Sequence, residues 1–188
     1  MIVITSFMMM AFSDALKMRG RDKAGKGLFA AGFLLLAAGM ILSAVTGTSY
    51  QVSPITRGLF ITLAAAGAWG EYSSLFGTLP VKDTYIGTDP AQKLVDSGLY
   101  AMCRHPGALF FPLMSVCTAL GLGSVSLINS SLFASSLNLL YVLYQDRVVF
   151  PATIPGYDSY RQRVPFLLPT AQSIARALGR STDRQDDV

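Results

Sequence analysis

The chain is 188 residues long, 52% hydrophobic and only 14% charged, with a mean hydropathy of +0.45, a balance too apolar for a soluble domain of this length. On that background a net charge of +4 and an isoelectric point of about 9.2 read as attraction to anionic lipid and argue against nucleic acid as a partner. A hydrocarbon core about 30 Å thick asks for roughly 20 mostly apolar residues per helix, because every backbone polar group must be satisfied within the segment.

Taken in chain order, five stretches approach that requirement. The first covers 1–16, with Asp14 near its inner end; it is short, and a cleaved signal peptide fits it less well because the basic residues follow the apolar stretch instead of preceding it. The second runs over 26–45 and the third over 55–76. The fourth, 106–123, and the fifth, 127–150, are joined by a brief Gly/Ser-rich turn and form a hairpin. Small residues in Ala30-Ala31-Gly32, Ala64-Ala65-Ala66-Gly67 and Gly121-Leu122-Gly123 allow close backbone approach, which serves packing. The expected fold class is therefore an all-α integral membrane protein with about five transmembrane helices. A single polytopic domain would span 1–178, with a cytoplasmic tail segment over 151–178 and a frayed polar tail at 179–188.

The basic residues set the expected orientation. Lys17, Arg19, Arg21, Lys23 and Lys26 crowd the first connection against a single Asp22, whereas the connection over 46–54 is uncharged. The first connection is then cytoplasmic, as are 79–104 and the chain from Pro151 onward. The N-terminus lies outside and the C-terminus in the cytoplasm, the setting expected being a prokaryotic cytoplasmic membrane. Cys103 and Cys117 are expected as free thiols, and without paired histidines they make no zinc site.

Two polar clusters fall on the cytoplasmic side. In the first, His105, the chain's only histidine, follows Arg104 where Pro106 opens a membrane helix, a position proline tolerates. The free N–H groups of a helix start, helped by the His ring, can hold a ligand carboxylate; equally, Arg104 and His105 can simply anchor the helix at headgroup level. The second cluster closes the fifth helix with Tyr141, Gln145, Asp146 and Arg147 and continues through 156–165. Tyr141 and Gln145, four apart, share a helix face that can turn toward the hairpin partner beginning at His105. An interfacial belt of Tyr and Arg is the plainer alternative.

The pattern Leu94-Val95, Gly98-Leu99-Tyr100, Arg104-His105-Pro106, followed one hairpin later by Tyr157, Tyr160-Arg161 and Val164-Pro165, resembles the isoprenylcysteine carboxyl methyltransferase and phospholipid methyltransferase superfamily. The likeness covers roughly 85–169; the first three helices match only in being apolar. It implies a membrane enzyme that binds S-adenosylmethionine in a cytoplasmic pocket between the last helical hairpin and the C-terminal segment, and methylates a lipid or lipid-like small molecule. Carried over by position, it implies cofactor contacts at Tyr85, Gln92, Lys93, Leu94, Val95, Tyr100, His105, Pro106, Gly107, Ala108 and Gln145. Asp146 and Arg161 take the catalytic places, and Tyr141 and Arg147 those near the acceptor. Three departures stand out: the family's paired glutamates correspond to Gln145 and Asp146, its substrate arginine to Tyr141, and a frequent aromatic residue to Ala108.

Methyl transfer from a sulfonium is an in-line displacement in which alignment and exclusion of water dominate, so a missing acid need not abolish it. An acceptor carboxylate would want a guanidinium, for which Arg147 or Arg161 would have to stand in; an amine or hydroxyl acceptor would suit Asp146 as base or cation partner. Two other functions stay open. One is an NADPH-dependent reductase of the sterol-reductase type, whose 2′-phosphate would need Lys82, Lys93 or Arg104. The other is a non-catalytic membrane protein that keeps the pocket for binding or assembly.

Overall fold

A computed structural model describes residues 1–77 and 94–183, and these are helical apart from their connections and one isolated β-bridge. The long helices are α1 (Ile2–Met18), α2 (Asp22–Thr46), α3 (Pro54–Tyr72), α5 (Gly107–Leu122) and α6 (Val125–Tyr144). A short α4 (Leu99–Met102) precedes α5; α7 (Phe150–Thr153), α8 (Tyr157–Arg163) and α9 (Ala171–Asp183) follow α6. The helix α9 carries regular structure past Gly179, where the sequence suggests fraying.

Local chemistry explains the boundaries. The Ser53 side chain accepts from the Thr56 N–H and Pro54 opens α3, so an orphan donor is satisfied and proline sits where its missing N–H costs nothing. Gly123 ends α5 in the left-handed region at φ 68°, and a side chain there would run into the Tyr50 carbonyl, so the tight α5–α6 turn requires glycine. Two π-helical turns were not foreseen: Ser73–Gly77 prolongs α3, and Gln145–Val149 joins α6 to α7.

The elements pair as α1 with α2 and α3 with α5, while α6 contacts α1, α2 and α5. Gly67 on α3 lies so close to the backbone of Met114 on α5 that a Cβ would overlap it, which is the close approach the small-residue stretches predict. Val3, Phe7 and Met10 of α1 meet Leu36 of α2 and Ala134 of α6 in an apolar cluster. At one end, the α2–α3 connection is tied to the α5–α6 turn: Tyr50 N–H donates to the Gly123 carbonyl at 2.8 Å and Val125 N–H to that of Thr48 at 3.0 Å. The opposite end gathers Asp14, Lys17, Arg104, Asp146 and Arg161.

Two helical stretches, Asp22–Thr46 and Val125–Thr153, are long and apolar enough to cross a membrane, and Gly107–Leu122 is a shorter apolar helix. Apolar side chains project outward: Ile55 is 88% exposed, Trp69 70% and Leu34 67%. Outward apolar surface on this scale suits lipid better than water.

Candidate functional site

The polar end is organised around Asp146, which is 2% exposed. It sits in the π-helical turn after α6. Its Oδ1 accepts from the Tyr157 hydroxyl at 2.6 Å and lies 3.1 Å from His105 Nε2. A carboxylate only accepts, so Nε2 carries the proton in that contact. Arg104 Nη2 donates to Asp146 Oδ2 at 3.2 Å, while Arg104 Nε approaches Oδ1 at 2.9 Å with its N–H out of line, an ion-pair contact without a hydrogen bond. Arg161 adds a looser ion pair, Nε to Oδ2 at 3.8 Å, from a side chain 41% exposed.

The same guanidinium clamps the C-terminal segment. Arg104 Nη1 donates to the carbonyl of Arg161 at 2.6 Å and to that of Val164 at 3.3 Å, and the Arg104 backbone N–H donates to the Pro165 carbonyl at 3.0 Å. The Tyr160 hydroxyl donates to the Tyr100 carbonyl at 2.7 Å, and the Tyr100 hydroxyl to that of Ser74 at 3.2 Å. One buried acid and one buried base thus join α4–α5, the end of α6 and α8 into a single unit.

Aromatic side chains fill the space around it. The His105 ring stacks on Phe150 at 5.8 Å and meets the edge of Phe166 at 5.1 Å, and Phe166 also lies under the Arg104 guanidinium. Leu94 packs on Tyr157, Tyr160 and Val164. Burial first, and then the carboxylate to which it donates, push the Tyr157 hydroxyl above the ordinary phenol range; burial does the same for Tyr160, with Tyr100 adding to it. Both therefore stay protonated donors. A cleft of about 240 Å³ lined by residues 151–159 opens beside this unit and contains the α7–α8 turn, not His105.

Nothing among family models, characterised proteins or solved structures matches this chain. The candidate site therefore rests on its own geometry.

That geometry divides the residues singled out from the sequence. Leu94, Tyr100, His105, Asp146 and Arg161 come together, with Pro106, Gly107 and Ala108 at the start of α5 and Val95, half-buried, beside Leu94. Pro106 precedes the first helical residue, Gly107, instead of occupying the first turn. Tyr85, Gln92, Lys93 and Lys82 lie outside the described residues.

Tyr141 and Gln145 do share a face, but that face meets α1, not the hairpin partner. The Tyr141 hydroxyl and the Gln145 amide donate to Asp14 Oδ2 at 2.6 Å and 2.9 Å, and the amide also reaches the Tyr141 oxygen at 2.9 Å. Lys17 Nζ completes the group, 3.0 Å from Asp14 Oδ1. Buried Asp14, 2% exposed, needs these donors more than an outside ligand does. Arg147 is exposed and makes no ion pair or side-chain hydrogen bond among the described residues.

Asp146, expected as a base or cation partner, has both oxygens occupied and holds its neighbours in place. One acid escaped the sequence reading altogether. Glu71, the only glutamate in the chain, lies in α3 against Gly107 and Ser74, and its Oε2 is buried with no hydrogen-bond partner among the described residues. Its rarity and its place near the end of an apolar helix were the available signals.

Proposed function

We propose that this chain is a polytopic membrane methyltransferase with five spanning helices. It uses S-adenosylmethionine on the cytoplasmic side and methylates a lipid or lipid-like small molecule. The observation that carries the reading is the interlock between two segments far apart in sequence, Tyr100–Pro106 and Tyr157–Pro165, through Arg104 and Asp146. These are the stretches whose residues resemble the methyltransferase superfamily, and their contact supports the reading.

In this reading Leu94, Val95, Tyr100 and the start of α5 from His105 to Ala108 form the cofactor side. Asp146 acts as a positioning residue that fixes the His105 ring and the Arg104 clamp. Arg161, partly exposed beside it, is the cation available to an anionic group. The chemistry asks for alignment of sulfonium and acceptor and for exclusion of water, which a rigid, aromatic-walled unit supplies. The basic first connection shares this end, and its charge supports placing it in the cytoplasm.

Titration of the detergent-purified protein with S-adenosylmethionine, S-adenosylhomocysteine and reduced nicotinamide cofactor tests the assignment. Binding of the two sulfur compounds, together with transfer of labelled methyl to a membrane lipid extract, is the expected result; binding of neither overturns it. A non-catalytic binding protein is the second reading, favoured by the saturation of Asp146. It predicts cofactor binding without methyl transfer.

A further inference from the structure

The helix α9 faces the wrong way for a helix in water. A reciprocal cap starts it: the Thr170 N–H donates to Ser173 Oγ at 3.0 Å and the Ser173 N–H to Thr170 Oγ1 at 3.2 Å. Ala171, Ile174, Ala175 and Leu178 then recur at the spacing of a single helix face. In a soluble protein such a face turns toward the core. Here all four residues are exposed, Leu178 to 67%, whereas Ser173 is only 1% exposed and Arg176 is half-buried. The side with Ser173 and Arg176 is the one that meets the protein: α9 packs on α4, and Arg176 Nη1 donates to the Arg163 carbonyl at 2.7 Å. The apolar strip extends to Leu168, 69% exposed, just before the cap.

The charge of this stretch points to what covers the strip. From Ser159 to Thr182 the chain holds Arg161, Arg163, Arg176 and Arg180 and no acid. A second copy of the chain would set these arginines against each other, which is costly. An anionic bilayer surface offers acyl depth to the leucines and phosphate to the guanidinium groups. Its contacts with α4 and Arg163 also put α9 at the end of the bundle that carries Arg104 and Asp146, where the long helices stop. We infer that α9 is an interfacial helix lying on the anionic cytoplasmic leaflet, with Leu168, Ile174, Ala175 and Leu178 in the acyl boundary and Arg163 and Arg176 beside the headgroups. The assignment rests on the membrane placement proposed above and not on the cofactor. Arg176 holds the carbonyl next to that of Val164, which Arg104 grips, so a leaflet that holds α9 also steadies the C-terminal segment.

Nitroxide labels test this in the full chain, reconstituted into vesicles of phosphatidylethanolamine and phosphatidylglycerol. Cys103 and Cys117 are buried, so the label goes to a cysteine added by Gln172→Cys, Ala175→Cys or Leu178→Cys, or by Leu34→Cys on the outward face of α2 as a lipid-facing reference. Labels at 34, 175 and 178 are expected to be reached by oxygen and to lose access to a water-soluble nickel complex, while 172 stays open to nickel. In vesicles of phosphatidylcholine alone, nickel access at 178 should rise and that at 34 should not. Equal nickel access at 172 and 178 overturns the inference, and so does protection of 178 from oxygen and nickel alike, which would mean that protein covers the strip. Insertion that is the same in both vesicles overturns the anionic assignment. Nickel access at 34 as well would show that the membrane placement itself has failed. Unlabelled wild type gives a second measurement that needs no variant to fold: hydrogen exchange over 171–179 should slow when phosphatidylglycerol is present, and equal exchange in the two lipids overturns the inference.

Discussion

Gln145 and Asp146 are consecutive in the chain, yet their side chains bond to different helices. The Gln145 amide donates to Asp14 on α1, and the Asp146 carboxylate receives His105 and Arg104 from the start of α5. Neighbours on a helix point about 100° apart, which is enough to send the two side chains to different helices.

Gln145→Glu follows directly from it. The substitution removes a donor from Asp14 Oδ2 and sets a second carboxylate beside it, so stability should fall by about 1–3 kcal/mol. Adding Asp14→Asn should restore much of the loss, because the asparagine amide can donate to the new glutamate. Thermal unfolding in detergent of the two single variants and the double variant measures the coupling.

Asp146→Asn leaves the Arg104 guanidinium buried without a counter-charge and should destabilise the protein by about 3–5 kcal/mol. The double variant Arg104→Met with Asp146→Leu should lose less than Asp146→Asn alone, because no isolated charge remains. The same unfolding series reads this, and a double variant worse than the single one would show that the Arg104 contacts to the Arg161 and Val164 carbonyls matter more than the charge pair.

Cys103 gives a pH signature. Burial pushes its thiol from 9.0 up to about 11, partly offset by a hydrogen bond from the His105 backbone. Between those values the unfolded chain is ionised there and the folded chain is not, so the folded state binds more protons and stability falls as pH rises from about 9 toward 11. Below pH 9 the contribution is constant. Cys103→Ala should flatten part of the alkaline decline, seen as a smaller drop in Tm between pH 8.5 and 11 than in wild type. Unaltered slope would mean that the thiol titrates alike in the folded and unfolded chains.

Gly123→Ala should cost about 1–3 kcal/mol, because alanine must take a positive φ and its Cβ meets the Tyr50 carbonyl. The loss appears as a lowered Tm with ligand affinity unchanged, since this turn lies at the end of the bundle away from Asp146.

Much of the helix plan was legible because it depends on local composition. The apolar blocks within α2 and α6 announce themselves over any window, and the Gly/Ser turn at 123–126 separates α5 from α6 plainly. The partners of the polar residues were not legible in the same way. Gln145 and Asp14 are 131 positions apart, and no periodicity connects them. Spacing by four placed Tyr141 and Gln145 on one face, but a face has no address until the neighbouring helix is known. Glu71 was overlooked because a lone acid near the end of an apolar helix resembles an interfacial residue until Gly107 is seen beside it.

The Arg104 clamp also orders events during synthesis. Arg104 leaves the ribosome 60 residues ahead of Val164, whose carbonyl it will hold, and 42 ahead of Asp146. The guanidinium must wait in contact with water while the α5–α6 hairpin enters its final place. Closure comes only when the last segment folds back and Tyr157 and Pro165 arrive. A nascent chain stopped before Asp146 would carry α1 to α6 and lack the acid that Arg104 grips, so the lock belongs to the last stretch of synthesis.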